Sequence, residues 1–189
     1  MSSIFRILNS YMNNKPVIIL ASARKNSNTK VFLERIFKNK QYRVIDLLDF
    51  IILPYDYSAK YPENDDFFKI VEEIIQHNVI GFATPVYWYA MSGPMKIFFD
   101  RFTDLITIKK PFGRQLKDKS TFLIAVGTDK EFPEGFEKPF ELSSRYLQMF
   151  YLGHIYNSTK HPASEQLMED LIESFIHKIE NHLPQSTGS

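Results

Sequence analysis

The sequence predicts one α/β domain, a three-layer sandwich with helices on both faces of a parallel sheet. Short apolar runs rich in valine and isoleucine alternate with segments in which apolar residues recur every three or four positions. The runs are apolar throughout, which is typical of strands that crossover helices bury on both faces. With 189 residues and 44% hydrophobic content, the chain is long enough for one globular domain with a substantial core.

The first half of the chain contains two β-α units and a third strand. The predicted elements are a strand at 16–20, a helix at 27–40, a strand at 42–48, a helix at 65–77 and a strand at 78–85. The helical spacing predicts buried faces formed by Val31, Phe32, Ile36 and Phe37 in the first helix, and by Phe67, Ile70, Val71, Ile74 and Ile75 in the second.

The second half continues the alternation with a helix at 93–106, a strand at 120–127, a broken helix at 136–150, a weak strand at 153–158 and a closing helix at 164–181. The predicted buried faces are Met95, Phe98, Phe99, Phe102 and Ile106 in the first of these helices, and Leu167, Leu171, Ile172, Phe175 and Ile179 in the last. Residues 1–15 are expected to form a flexible extension and residues 185–189 a flexible tail, leaving 16–184 as the domain.

Composition excludes several classes of function. The net charge is +1 with no basic stripe, which argues against a nucleic-acid partner. The chain has no cysteine, which excludes thiolate chemistry and disulfides, and its five histidines lack metal-ligand spacing. No apolar run approaches the ~20 residues that span a bilayer, and the N-terminus lacks the order of a secretory signal. We therefore expect a cytoplasmic protein without membrane insertion or a metal.

The candidate site lies at the carboxyl ends of the strands, where open parallel sheets bind ligands. The loop after the first strand, residues 21–30 (ASARKNSNTK), contains no glycine, which excludes both a dinucleotide fingerprint and a P-loop. It carries short polar and basic side chains instead: Ser22, Arg24, Ser27, Asn28, Thr29 and Lys30.

Two interpretations of this first loop remain open. No Glu or Gln stands three residues after Ser27, Asn28 or Thr29 to complete a capping box, and Lys30 opposes the helix dipole. A bound phosphate, held by backbone N–H groups, hydroxyls and a guanidinium, would supply the missing cap. Alternatively, the loop is an ordinary Ser or Asn N-cap with solvated Arg24 and Lys30.

The loop after the third strand, in residues 84–96 (TPVYWYAMSGPMK), sets Tyr87, Trp88 and Tyr89 in a row. Three consecutive side chains point in different directions, so at least one faces solvent, a ligand or a partner. A phosphate pocket beside an aromatic loop matches a phosphorylated planar ring such as flavin mononucleotide (FMN). The alternative is that the three rings pack under helices or in a dimer contact. The loop after the fourth strand carries one special signal, Gly127.

These segments resemble a known family. The stretch SARKNSNT is similar to the S-x-R-x-x-S-N-T phosphate loop of flavodoxin-like NAD(P)H-dependent FMN reductases and quinone reductases. The stretch ATPVYWYAMSGPMKIFFDRF resembles their more specific motif, P-V-Y-W-x-x-M-S-G-x-x-K-x-F-x-D-R. LKDKSTFLIAVG and LPYDYSAKYP are similar to further segments, so that the resemblance spans residues 16–183.

The resemblance implies a flavodoxin-like five-stranded sheet in the order 2-1-3-4-5 and one FMN per chain. It also implies NADH or NADPH as co-substrate and a quinone, free flavin, azo or nitro compound, or metal ion as electron acceptor. By position, the phosphate would be held by Ser22, Arg24, Ser27, Asn28 and Thr29. The ring would be lined by Pro85, Val86, Tyr87, Trp88 and Tyr89, with Gly127 and Thr128 at its far edge. The chain departs from the pattern at Ala21, where glycine is common, and at Thr128-Asp129, where small residues are common.

The expected chemistry requires no acid–base side chain, because hydride passes between nicotinamide and flavin while the protein orients both. Asp100 and Arg101 are therefore interpreted as helix-surface or dimer-interface charges, and Tyr55 and Tyr57 as a candidate frame for the substrate. The aromatic loops around Tyr55 and Trp88 leave much apolar area near the ligand, which favours a homodimer.

Two other functions fit the same fold. A flavodoxin-type electron carrier usually presents an acidic face, which 23 basic and 22 acidic residues do not indicate. A flavin-free binding module on the same sheet is the other alternative.

Overall fold

The computed structural model describes residues 15–184 and contains one sheet in the order β2-β1-β3-β4-β5. The strands are Val17–Leu20 (β1), Arg43–Asp46 (β2), Val79–Pro85 (β3), Ser120–Gly127 (β4) and Phe150–Ser158 (β5), and every neighbouring pair is parallel. The predicted fold and strand order are confirmed. The predicted extension, apart from Lys15, and the predicted tail lie outside the described residues.

Helices connect the strands and cover both faces of the sheet. They are Asn28–Ile36 (α1), Phe67–Ile74 (α2), Gly93–Asp100 (α3), Phe102–Thr107 (α4), Lys110–Arg114 (α5), Lys138–Tyr146 (α6) and Glu165–Glu180 (α7), with a short 3-10 helix at Leu47–Asp49. Within residues 15–184, no helix has the length and apolar content that crossing a bilayer requires.

Alternate residues of the strands enter two separate cores. Val17 and Ile19 of β1 point into the core shared with α2, α3 and α6, whereas Ile18 and Leu20 point into the core shared with α1 and α7. Because both faces of the central strands are buried, these strands must be apolar at every position, which is the pattern in the sequence.

The structure corrects several predicted boundaries and faces. Strand β5 begins at Phe150 rather than at Gly153, and the helix predicted for 93–106 is divided into α3 and α4 at Arg101. Four residues predicted on buried faces are exposed: Val31, Ile106, Leu167 and Leu171. Successive helical residues are about 100° apart, so apolar spacing alone does not decide which edge of a broad stripe meets the core. Leu33, Met168 and Ile176 are buried instead.

The prediction for Arg101 was wrong, because its side chain is completely buried rather than on the surface or in a dimer contact. The guanidinium donates to Asp65 Oδ2 at 2.8 Å and to Asp104 Oδ2 at 2.6 Å. It also donates to the Leu53 carbonyl and lies 3.5 Å from the centroid of the Tyr61 ring. Arg101 thus ties the loop after β2 to the junction of α3 and α4. Asp100 is on the surface as predicted, paired with Lys96.

The burial of Arg101 and Asp65 and the hydrogen bonds between them shift the pKa values of both side chains. Burial alone would lower the pKa of Arg101, but the hydrogen bonds to Asp65 and Asp104 outweigh it, and the pKa is raised. Burial alone would raise the pKa of Asp65, but Arg101 and the Leu53 N–H bring it below the ordinary value of 3.8. The stabilisation from Asp65 is therefore present above that ordinary value and is lost as pH falls through the lower folded-state pKa.

We predict that Arg101→Met lowers the free energy of unfolding by about 3–5 kcal/mol, because it leaves two buried carboxylates without their partner. Urea denaturation followed by circular dichroism measures the change. The control is Asp100→Asn on the next residue, which breaks an exposed pair and should cost under about 0.5 kcal/mol. If Arg101→Met lowers the free energy of unfolding no more than Asp100→Asn does, the buried ion pairs of Arg101 contribute little to stability.

Candidate functional site

An open cleft of about 160 Å³ lies at the carboxyl edge of β1, β3 and β4. Its walls come from the ends of these strands and from the loops that follow them, together with one residue after β5. They are Ser22, Arg24, Ser27, Asn28, Thr29, Pro85, Val86, Tyr87, Val126, Gly127, Thr128 and Thr159. The sheet is parallel, so segments distant in sequence meet here.

A larger groove of about 810 Å³ lies between α1 and α7. Ion pairs of Arg35 with Glu165 and Glu169 link these two helices across it, and Lys40, which follows α1, pairs with Glu180 of α7. None of its lining residues belongs to the loops that follow β1, β3 and β4. The smaller cleft is therefore the candidate site, because it lies where this type of sheet binds ligands.

Two serines fold the first loop. The Ser22 hydroxyl donates to the Arg24 carbonyl at 2.7 Å, and Ser27 Oγ accepts from the Lys30 N–H at 3.2 Å. Ser27 is the N-cap of α1, so the ordinary cap considered for this sequence is present. It satisfies one first-turn donor, and the Asn28 and Thr29 N–H groups have no acceptor among residues 15–184.

The charges around this loop favour an anion. The first turn of α1 contains no acidic residue that would neutralise its positive dipole end. Lys25 is paired with Asp46 at 3.1 Å and Asp49 at 2.5 Å, whereas Arg24 is exposed and forms no ion pair within residues 15–184. The loop thus combines unpaired helix N–H groups, hydroxyls and one available guanidinium, which is the donor set that a phosphate requires.

Ser92 joins the first loop to the second. Its hydroxyl donates to the Ala21 carbonyl at 2.9 Å, and its N–H donates to Thr84 Oγ1 at 3.1 Å. Both Ser92 and Thr84 are buried. The Val86 N–H donates to the Val126 carbonyl at 2.8 Å, which fixes the second loop to the end of β4. The base of the second loop is therefore rigidly placed between β1 and β4.

The aromatic residues form a tight turn above this base. Tyr87 and Ala90 exchange N–H···O=C bonds of 2.9 and 3.0 Å, and Trp88 and Tyr89 between them have φ of +50° and +61°. Two consecutive positive φ values define a type I′ turn, which normally carries Asn or Gly. Tyr87 lines the cleft, while Trp88 is 95% and Tyr89 70% exposed at the tip.

The third loop is fixed from β5. The Ser158 hydroxyl donates to the Thr128 carbonyl at 3.2 Å, and the Thr159 N–H and hydroxyl donate to the Gly127 carbonyl at 2.9 and 3.1 Å. A side chain at position 127 would meet the Tyr156 hydroxyl, because an ideal Cβ there lies 2.6 Å from it. A larger residue at position 127 would therefore require the Tyr156 side chain on the neighbouring strand to move.

The loop after β2 contributes three tyrosines at the same edge of the sheet. Tyr55 and Tyr57 pack edge to face with ring centroids 5.2 Å apart, and Tyr57 is 93% exposed. The Tyr61 hydroxyl accepts from the Asp56 N–H at 3.0 Å, while its ring lies on Arg101. These residues do not line the cleft.

The structure brings the predicted phosphate residues together with Pro85, Val86, Tyr87, Gly127 and Thr128 around one cleft. Trp88 and Tyr89 are outside its lining, so their predicted contact with the ring stays a prediction. Val126 and Thr159 were not predicted. Thr159 directly follows β5, so the carboxyl-edge rule that selected the other loops would have identified it.

Comparison with known proteins agrees with this geometry. A family model of NADPH-dependent FMN reductases matches residues 14–163. A protein of Bacillus subtilis (strain 168), named as the NAD(P)H-dependent FMN-containing oxidoreductase YwqN, is 30% identical over 159 residues. That alignment covers 78% of this chain and 87% of the relative.

Solved structures share the fold. The Trp repressor binding protein from Bacillus subtilis has a TM-score of 0.65 and 26% identity, covering 90% of this chain and 100% of that one. The general stress protein 14 of Treponema denticola, solved with FMN, has a TM-score of 0.55 and 19% identity over 87% of this chain and 95% of that one.

The geometry of the first loop and the family match over residues 14–163 both indicate FMN as the cofactor. The donors at the start of α1 fit a phosphate, and the half-exposed Tyr87 beside them fits the adjoining ring system. The chain is a member of the NADPH-dependent FMN reductase family, an oxidoreductase that uses FMN and NAD(P)H.

Proposed function

We propose that this enzyme takes hydride from NADH or NADPH and reduces a quinone, a free flavin or a similar small planar acceptor at the cleft beside Tyr87. The observation that carries the proposal is the union, in one cleft, of a phosphate-type donor set and an aromatic turn. FMN, when bound, supplies the hydride and electron transfer, so the side chains need only bind and orient the reactants.

The first loop binds the phosphate in this proposal. Arg24 and the N–H groups of Asn28 and Thr29 donate to the anion, while Ser22 and Ser27 keep the loop folded through their internal hydrogen bonds. The Ser27 proton and the Asn28 and Thr29 side chains add further donors. Because the backbone N–H donors are fixed by the helix before binding, ordering them costs little conformational entropy when the phosphate enters, whereas the exposed Arg24 side chain must be ordered on binding.

The second and third loops hold the ring. Pro85, Val86 and Tyr87 form one wall, and Gly127 and Thr128 form the far edge. Trp88 and Tyr89 extend from the turn and cover the outer part of the ring or its partner. The wall beside Tyr87 opens to solvent, so each substrate in turn reaches the same face.

A single stacking face predicts ping-pong kinetics. NAD(P)H must leave before the acceptor enters, so double-reciprocal plots of NAD(P)H oxidation at several quinone concentrations should be parallel. The measurement uses the purified FMN-loaded protein with a soluble benzoquinone. Intersecting lines would show that both substrates bind together and would contradict a shared face. A flavin-loaded protein that oxidises no NAD(P)H with any acceptor would contradict the proposed activity itself.

The phosphate assignment predicts a preference for FMN over riboflavin, which has the same ring and lacks the anion. Each charge-assisted hydrogen bond contributes roughly 1.5–3 kcal/mol, so two of them predict at least ~100-fold weaker binding of riboflavin. Arg24→Ala should narrow this ratio and leave riboflavin affinity nearly unchanged. Quenching of Trp88 fluorescence measures both dissociation constants.

The control for this variant is Arg114→Ala, an exposed arginine on α5 outside the cleft, which should leave both affinities as they are. Equal affinity of the wild-type protein for FMN and riboflavin would mean that the first loop does not bind phosphate.

We also propose a homodimer that covers the aromatic tip. Trp88, Tyr89 and Tyr57 are exposed at the carboxyl edge of the sheet, and an aromatic group of this size on a surface favours a second protein chain. Light scattering at micromolar concentration should give the mass of two chains, and Trp88→Lys should shift it toward one chain. Tyr146→Lys is the control, since Tyr146 is a 70% exposed aromatic residue outside the cleft and the loops around it. A monomeric wild-type mass would remove this proposal.

We assign the protein to the cytoplasm, in keeping with its use of NADH or NADPH. Detection of the tagged chain after cell fractionation tests this assignment.

A further inference from the structure

Tyr156 on β5 lies behind the third loop and contacts it at two points. Its hydroxyl donates to the Asp129 carbonyl at 2.8 Å. The same hydroxyl and its ring carbons lie 2.6, 3.1 and 3.3 Å from an ideal Cβ placed on Gly127. Tyr156 itself does not line the cleft, so any effect on a ligand must pass through residues 127–129.

Neighbouring aromatic rings pack beside the Tyr156 ring. Phe132, further along the third loop, lies 5.5 Å from it between ring centroids. Phe132 in turn stacks on His154 at 3.9 Å with an interplanar angle of 22°. His154 is fixed by a 2.7 Å hydrogen bond between its Nδ1 and Glu137. The third loop thus contacts side chains of β5 at Asp129 and Phe132, and Glu137 at the start of α6 bonds to the same strand.

We propose that Tyr156 is a positioning residue for the ring-binding part of the cleft: it sets the backbone of Gly127, Thr128 and Asp129 against the far edge of the flavin. This inference rests on the proposed function of the cleft. The hydroxyl holds the backbone of the third loop in place through its hydrogen bond to the Asp129 carbonyl. The Tyr156 side chain also occupies the space that a Cβ at position 127 would need. The ordinary tyrosine pKa of 10.0 already keeps the Tyr156 hydroxyl protonated at neutral pH, and burial raises the pKa of Tyr156 further.

The position of Tyr156 determines which part of the flavin it affects. The third loop faces the first loop across the cleft, and the phosphate donors of the first loop are held by Ser22 and Ser27, which do not touch Tyr156. A displaced third loop should therefore weaken binding of the ring and leave the phosphate contribution unchanged. FMN and riboflavin should lose affinity by the same factor.

The test is Tyr156→Phe, which removes only the hydroxyl. We expect the dissociation constants of FMN and riboflavin both to rise about 3- to 10-fold, in line with loss of one neutral hydrogen bond. The FMN-to-riboflavin ratio should stay at the wild-type value, and the visible circular dichroism of bound FMN should change. Tyr42→Phe is the control, since Tyr42 packs on Phe37 with ring centroids 4.9 Å apart and lies outside both the cleft and the third loop.

A double mutant tests the contact with Gly127 without any ligand. Gly127→Ala should lower the melting temperature, because the new Cβ meets the Tyr156 hydroxyl. In the Tyr156→Phe background the nearest atom is gone, and the remaining ring carbons need shift by only a few tenths of an ångström. The loss from Gly127→Ala should then shrink to about half or less, which is the coupling expected of residues in direct contact.

The outcomes separate this inference from the proposed function. Equal weakening of both flavins by Tyr156→Phe, with no effect of Tyr42→Phe, supports it. Unchanged flavin affinity in Tyr156→Phe overturns it, and so does a change in the ratio of the FMN and riboflavin dissociation constants. It is also overturned if the decreases in melting temperature of the two single mutants simply add in the double mutant. If the wild-type protein binds neither flavin, the proposed function fails and this role of Tyr156 fails with it.

Discussion

Parallel pairing of the strands is the constraint on which the site depends. It brings the ends of β1, β3, β4 and β5 to one edge, so a cleft forms from segments far apart in sequence. The same pairing leaves the loops without regular backbone partners at that edge. Short side chains supply them: Ser22 and Ser27 in the first loop, Ser92 between the first two loops, and Ser158 at the third. These four serines therefore build the cleft, and in the proposed function the backbone N–H groups and Arg24 bind the ligand.

Much of the fold and cleft could be predicted because the signals are local. Continuous apolar runs and intervening helical patterns leave few topologies, and residues directly after a buried strand must lie at its carboxyl edge. Arg101 shows where this reasoning ends. Its nearby partner Asp104 looks like an ordinary surface pair at helical spacing, and its second partner, Asp65, is 36 residues away on a long loop, so the sequence around Arg101 does not indicate burial. The tight turn at Trp88 and Tyr89 could not be predicted either, since the two central positions of a type I′ turn normally carry Asn or Gly.

Arg101 and Tyr156 have similar roles on opposite sides of the second loop. Arg101 connects the loop after β2 to the α3–α4 junction, and Tyr156 connects the loop after β4 to β5. Neither residue lines the cleft. Both add a side-chain hydrogen bond between a long connection and a regular element, and at the third loop Tyr156 does so together with Ser158 and Thr159. The cleft is thus bordered by segments whose positions are decided some distance behind its surface.

The turn at Trp88 and Tyr89 carries a cost that the folded chain does not recover by itself. Each bulky residue in the left-handed region costs about 1–2 kcal/mol, and both rings extend into solvent. Asn or Gly at these positions would relieve the strain and remove the aromatic surface at once. Under the role proposed for these two rings, selection for thermostability and selection for binding act in opposite directions on the same two positions, and a variant stabilised at the turn would bind its ligand less tightly.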